Sequence, residues 1–102
     1  MTPLSVSLSA ALLALACIPA NAHDAPTGWS YSASCCDNQD CHPVAPGEVV
    51  ATPRGYSIPA SGETIPYNDR RIKPSGDSGM HRCSFYGFKD AGTICLYVPA
   101  GS

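Results

Sequence analysis

Cysteine and histidine are the residues in this chain with the most chemistry to offer. Cys35, Cys36, Cys41, Cys83 and Cys95 all fall after residue 22, and a sixth cysteine, Cys17, stands nearer the front. Four residues separate Cys36 from Cys41, and His42 and His81 each adjoin or nearly adjoin a cysteine. That grouping has the ingredients of a zinc site, but the second close cysteine pair that such sites use is missing downstream. No Cys-x-x-Cys redox motif occurs either. Disulfide formation is the better reading, with all five later cysteines as candidates. Adjacent Cys35 and Cys36 are poorly placed to bond to each other. Cys83 and Cys95 are therefore each expected to tie a late strand back to the 35–41 cluster. Which cysteine takes which partner is left open by the sequence. Five is an odd number, so one thiol is left for a mixed disulfide, a covalent dimer or no bond at all.

The second candidate chemistry is copper. If the chain is cut between Ala22 and His23, the new amino terminus and the His23 imidazole can chelate one copper ion together. His42 or His81 would then complete the site, in an arrangement similar to a histidine brace. Amine and neutral imidazole suit copper by ligand type. A third motif, Gly76-Asp77-Ser78-Gly79, resembles the segment around the nucleophile of chymotrypsin-like proteases over four residues only. Met80-His81 follows it where Gly-Pro is usual, and so short a chain cannot hold a double barrel and a triad. The segment reads as loop. With no convincing nucleophile, acid–base pair or phosphate loop, the chain is not expected to be an enzyme.

The cut after Ala22 is itself a reading of the front of the chain. Residues 1–22 contain no charged side chain, so all 14 charged residues follow them. Ala10 to Ile18 is an unbroken apolar run, Pro19 ends it, and Ala20-Asn21-Ala22 places small residues where signal peptidase needs them. The run is too short to span a bilayer, which takes about 20 apolar residues. A competing lipobox ending at Cys17 fits poorly, because Leu15 stands where a small residue is preferred. Residues 23–102 are then one periplasmic or secreted domain, and the compartment is one that favours disulfides.

That domain has to be positioned by short strands. Ten prolines and nine glycines in the whole chain leave few long regular segments, and no stretch keeps a 3.6-residue apolar period over three turns. The expectation is a small all-β or β-rich irregular domain stabilised by disulfides. Ser34 is placed to cap a helical turn with Asp37 as acidic partner. Glu48 to Thr52, Pro53-Arg54-Gly55 and Tyr56 to Ile58 read as a hairpin. Ser61-Gly62 is a second turn leading to Glu63–Tyr67. Apolar positions 56, 58, 65 and 67 alternate as one buried face requires. Lys73 to Gly79 reads as loop, and His81–Phe85 and Thr93–Val98 as the last strands. Trp29, Tyr31, Phe85, Tyr86, Phe88 and Tyr97 are assigned to the core, although they have the makings of a sugar or peptide platform.

The formal charge is −2, and the one local run of cations is Arg70, Arg71 and Lys73. With no basic stripe interleaved with aromatics, composition points to neither nucleic acid nor an anionic membrane. Trp29-x-Tyr31, Cys35-Cys36 with Cys41, Ile65-Pro66-Tyr67, His81-Arg82-Cys83 and Cys95-Leu96-Tyr97-Val98-Pro99 span nearly all of the later chain. Together they resemble a group of small secreted, cysteine-containing, uncharacterised proteins of alphaproteobacteria. The resemblance implies export and one disulfide-bearing domain, and implies no particular activity. The function expected is binding, or a structural part of the envelope, with copper handling and a small exported inhibitor as alternatives. In the inhibitor case the Arg70–Gly79 loop is the contact.

Overall fold

Among the described residues, seven short strands form two sheets packed against each other, preceded by one helical turn. The computed structural model describes residues 24–36 and 39–101. The expected leader segment with its expected cleavage point at Ala22 and His23, Cys17, and the expected capping partner Asp37 lie outside the described residues. The elements are α1 (Ala33–Cys36), β1 (Gln39–Pro43), β2 (Val50–Thr52), β3 (Gly55–Ile58), β4 (Glu63–Ile65), β5 (Ile72–Pro74), β6 (His81–Phe85) and β7 (Thr93–Val98). The larger sheet runs β1-β6-β7-β5 and the smaller β2-β3-β4. The fold is thus β-rich and disulfide-bonded, as expected. Among the described residues no helix is long and apolar enough to cross a membrane.

The central strands β6 and β7 of the larger sheet are largely buried on both faces, which explains why β7 reads as a continuous apolar run rather than an alternating one. Successive side chains of a strand point to opposite faces. Cys95 and Tyr97 accordingly join Tyr31, Cys35 and Cys83 in one core cluster, with Trp29 and Ile94 packed against it. Leu96 and Val98 point the other way, toward Tyr56, Ile58 and Ile65 of the smaller sheet. Two disulfides, Cys35–Cys95 and Cys41–Cys83, fasten β7 and β6 to the 35–41 segment. That is the arrangement expected from the cysteine positions.

The hairpin at Pro53-Arg54 is present, with Val50 opposite Ser57 and Thr52 opposite Gly55. Its first strand is shorter than expected, because Glu48 folds inward to accept hydrogen bonds from His42 and the Ala45 amide. Ser34 lies within α1 instead of capping it. The turn begins two residues earlier than that cap implies, at Ala33, and Cys35 N donates to Ser32 O at 2.9 Å.

Two strands differ from the sequence reading. Gln39–Pro43 lacks an apolar face, yet it pairs with β6 from Gln39 opposite Phe85 to Pro43 opposite His81. Ile72–Pro74, read partly as loop, lies parallel to β7, with Lys73 opposite Tyr97. The assignment of all six aromatics to the core is also corrected. Tyr31 and Tyr97 are buried, but Phe85, Tyr86 and Phe88 are 46%, 67% and 61% exposed. They occupy the tip of the β6–β7 hairpin.

Candidate functional site

Two constellations emerge from this frame. The first centres on Asp77, within the glycine-flanked motif that the sequence suggested was loop. Thr27 Oγ1 donates to its carboxylate at 2.7 Å, Trp29 Nε1 at 3.1 Å, His81 Nε2 at 2.9 Å and Gly79 N at 2.9 Å. These donors, Thr27 first, hold the Asp77 carboxyl far below the usual carboxylate range. A carboxylate only accepts, so His81 Nε2 carries the hydrogen. His81 Nδ1 then meets the Tyr31 hydroxyl at 2.9 Å, and the imidazole is 2% exposed. Trp29 packs its ring edge-on to Tyr31, His81 and Tyr97 at centroid distances of 5.0, 5.0 and 5.3 Å.

Gly76 makes this packing possible, since a Cβ there would sit 2.4 Å from the Trp29 ring. A cleft of about 250 Å³ lined by Pro26, Pro43, Val44 and Met80 opens beside Asp77 and His81. Both nitrogens of His81 are engaged, and five donors, with Ser75 Oγ at 3.1 Å the fifth, converge on Asp77. The geometry therefore fastens the 24–31 segment to β6 rather than presenting a free base.

The second constellation carries the β6–β7 loop. Arg82, fully buried, reaches into the loop from beneath. Its Nη1 donates to Lys89 O at 3.0 Å, its Nη2 to Ala91 O at 2.6 Å, and its Nε to Thr93 Oγ1 at 2.7 Å. Glu63 lies 3.5 Å from Nη2 and Glu48 3.9 Å from Nη1, so the buried cation has its countercharges. Burial pushes Glu63 upward, but hydrogen bonds from the Thr93 hydroxyl and amide and from Ser61, with Arg82 beside it, outweigh that and lower its pKa. For Glu48 burial likewise raises, and the Ala45 amide and His42 bring it below its ordinary value.

Above this anchor the chain reverses at Phe85-Tyr86-Gly87-Phe88, closed by Phe88 N donating to Phe85 O at 3.2 Å. Tyr86 and Gly87 have φ of 56° and 76°. Both central residues in the left-handed region make this a type I′ arrangement, where Asn-Gly is the usual choice. A non-glycine residue there costs about 1–2 kcal/mol. Tyr86 instead puts an exposed ring at that position, 6.4 Å from Phe88 and tilted by 52°.

Against known proteins the result is brief. The chain matches no known family, no curated protein and no solved structure. What it does has to be argued from these side chains.

Of the expected metal ligands, His23 lies outside the described residues. His81 is committed to Tyr31 and Asp77, and His42 turns Nε2 to Glu48 at 2.6 Å. Among the described residues no three His, Cys, Asp or Glu side chains converge as a metal site. The cation run splits. Arg71 forms a two-pronged pair with Asp69 at 2.9 Å and pulls the Asp69 carboxyl down to about 2. Arg70 and Lys73 enter no ion pair among the described residues. All three line a shallow groove with Ser34 and Ile94.

Arg82, Glu48 and Glu63 were not singled out by the sequence, since isolated charges in polar surroundings read as surface. The exposure of the 85–88 aromatics had a signal. A Tyr-Gly pair between two strand candidates marks a hairpin tip, and tips face solvent.

Proposed function

We propose that this chain is an exported binding protein of the cell envelope, released by cleavage after Ala22, that engages its partner through the β6–β7 loop. One observation carries the reading. Three exposed aromatics stand on a turn whose first central residue is in a costly conformation, above a buried arginine that fixes the loop carbonyls. Exposed hydrophobic clusters mark contact sites, and a loop braced in this way loses little freedom on binding. Strain at a displayed side chain points to the same place. The Arg70–Gly79 segment is a weaker contact for an inhibitor, because Ile72–Pro74 is paired into the sheet and 75–79 wraps Asp77.

The test is to recover the protein from the envelope fraction, alone and as Tyr86→Ser/Phe88→Ser. An intact mass starting at His23 supports export. The double variant should keep its unfolding midpoint, since exposed substitutions usually shift stability by about 0.5 kcal/mol or less, and should wash out of a fraction that holds the wild type. Equal retention of both forms would sink the loop as the contact surface.

A further inference from the structure

Resting on that reading, we infer that the partner is an anionic lipid surface, with the β6–β7 aromatics entering the headgroup boundary and the Arg70–Lys73 groove taking lipid phosphates. Composition points away from this, because the net charge is −2. The fold redistributes that charge. Six residues are Lys or Arg, and Arg82 is fully buried as the loop's anchor. Three of the remaining five, Arg70, Arg71 and Lys73, line one groove, and Lys89 follows the aromatics on the loop itself.

The two features adjoin along the chain at the start of β7. The loop ends where β7 begins at Thr93, and the next residue, Ile94, lines the basic groove. Glu63 joins them from below, accepting from Thr93 N at 3.1 Å and lying 3.4 Å from Arg71. A Cβ at Gly92 would lie 3.6 Å from the Phe85 ring and 4.0 Å from the Glu63 carboxylate. Acidic groups temper the patch. Asp90 sits on the loop, Asp40 beneath Gly87, and Asp69 with Glu63 offsets Arg71. Arg70, whose charge also helps to lower the Asp69 carboxyl, and Lys73 stay outside these ion pairs and line the groove where an external anion would meet them.

Aromatic rings beside cations match a headgroup layer, where rings occupy the interface and cations meet phosphate. The 52° tilt between Tyr86 and Phe88 argues against a flat sugar platform. One shallow apolar contact alone gives weak, reversible attachment, and cations close to an anionic surface each strengthen it about fivefold.

The experiment is co-sedimentation of the purified, disulfide-bonded protein with vesicles. One set is phosphatidylcholine alone and the other contains phosphatidylglycerol. Expected is binding to the second set only, lowered about 25-fold in Arg70→Gln/Lys73→Gln and abolished in Tyr86→Ser/Phe88→Ser. Both variants should unfold at the wild-type midpoint. Absence of binding, equal binding to both vesicle types, or indifference to either variant would overturn the inference. So would displacement by inorganic phosphate beyond that by chloride at equal ionic strength, which would make the groove a site for free phosphate. If vesicles fail while the loop variant still leaves the envelope fraction, the binding-protein reading stands with a different partner. If neither assay depends on the loop, both fall.

Discussion

Asp77 is where one side chain does most to hold separate segments together. Its carboxylate takes hydrogen bonds from Thr27 and Trp29 in the amino-terminal segment, from Gly79 in its own loop and from His81 on β6. Its folded pKa lies far below the ordinary value. A depressed carboxyl adds stability that is present above its unfolded pKa, about 4, and is lost as pH falls toward the folded value. In that window the unfolded chain binds the extra proton, so acid favours unfolding. Asp77→Asn turns one accepting oxygen into a donor facing Thr27 and Trp29. The variant should have a lower urea midpoint at pH 7, and its gap from wild type should shrink steadily below about pH 4. Glu48, Glu63 and Asp69 are also depressed, so both proteins keep some acid sensitivity. A gap constant from pH 7 to pH 3 would mean that the Asp77 charge adds nothing to holding the segment.

At the scale of elements, the β6–β7 loop depends on a side chain from the strand below it. Arg82→Met keeps most of the aliphatic stem and removes the guanidinium, leaving Glu63 without its buried cation and two loop carbonyls without donors. Breaking a buried pair from one side costs about 3–5 kcal/mol. The expected result is a loss of that size in denaturant unfolding, with faster amide exchange confined first to 86–92. Uniform acceleration across both sheets would show that Arg82 supports the fold at large and not the loop. Legibility in the sequence followed from pattern. Thr93–Val98 was readable because β-formers run together there, and the Pro53-Arg54 hairpin because its turn residues are specific. β1 was not, since Gln-Asp-Cys-His-Pro has no apolar face and its place is set by β6 and the Cys41–Cys83 bond. β5 was hidden because its parallel partner lies over twenty residues downstream. The candidate loop was visible as a cluster of aromatics, but whether they face inward depends on what packs over the hairpin tip.

At the scale of the whole molecule, the two disulfides are nested, and this changes what each contributes. Cys35–Cys95 spans 60 residues and Cys41–Cys83 spans 42 inside it. With either bond intact, the other is bridged by a shortcut made of the eighteen residues by which the two spans differ. Chain-entropy arithmetic then gives about 3 kcal/mol for removing either bond alone and about 7 for removing both. Double removal would exhaust the stability of a domain this small. The two single losses should nonetheless look different. Cys41–Cys83 joins strands already paired in the sheet. Cys35–Cys95 ties α1 to the central strand β7, with the Tyr97 hydroxyl donating to Cys35 Sγ at 3.3 Å and accepting from Ser32 N. Cys35→Ala/Cys95→Ala should therefore loosen the segment carrying Trp29 before global unfolding and red-shift its fluorescence under native conditions. Cys41→Ala/Cys83→Ala should leave the emission unchanged at a similar loss of midpoint. An unshifted spectrum in the first variant would mean that the Asp77 hydrogen bonds alone suffice to dock the amino-terminal segment.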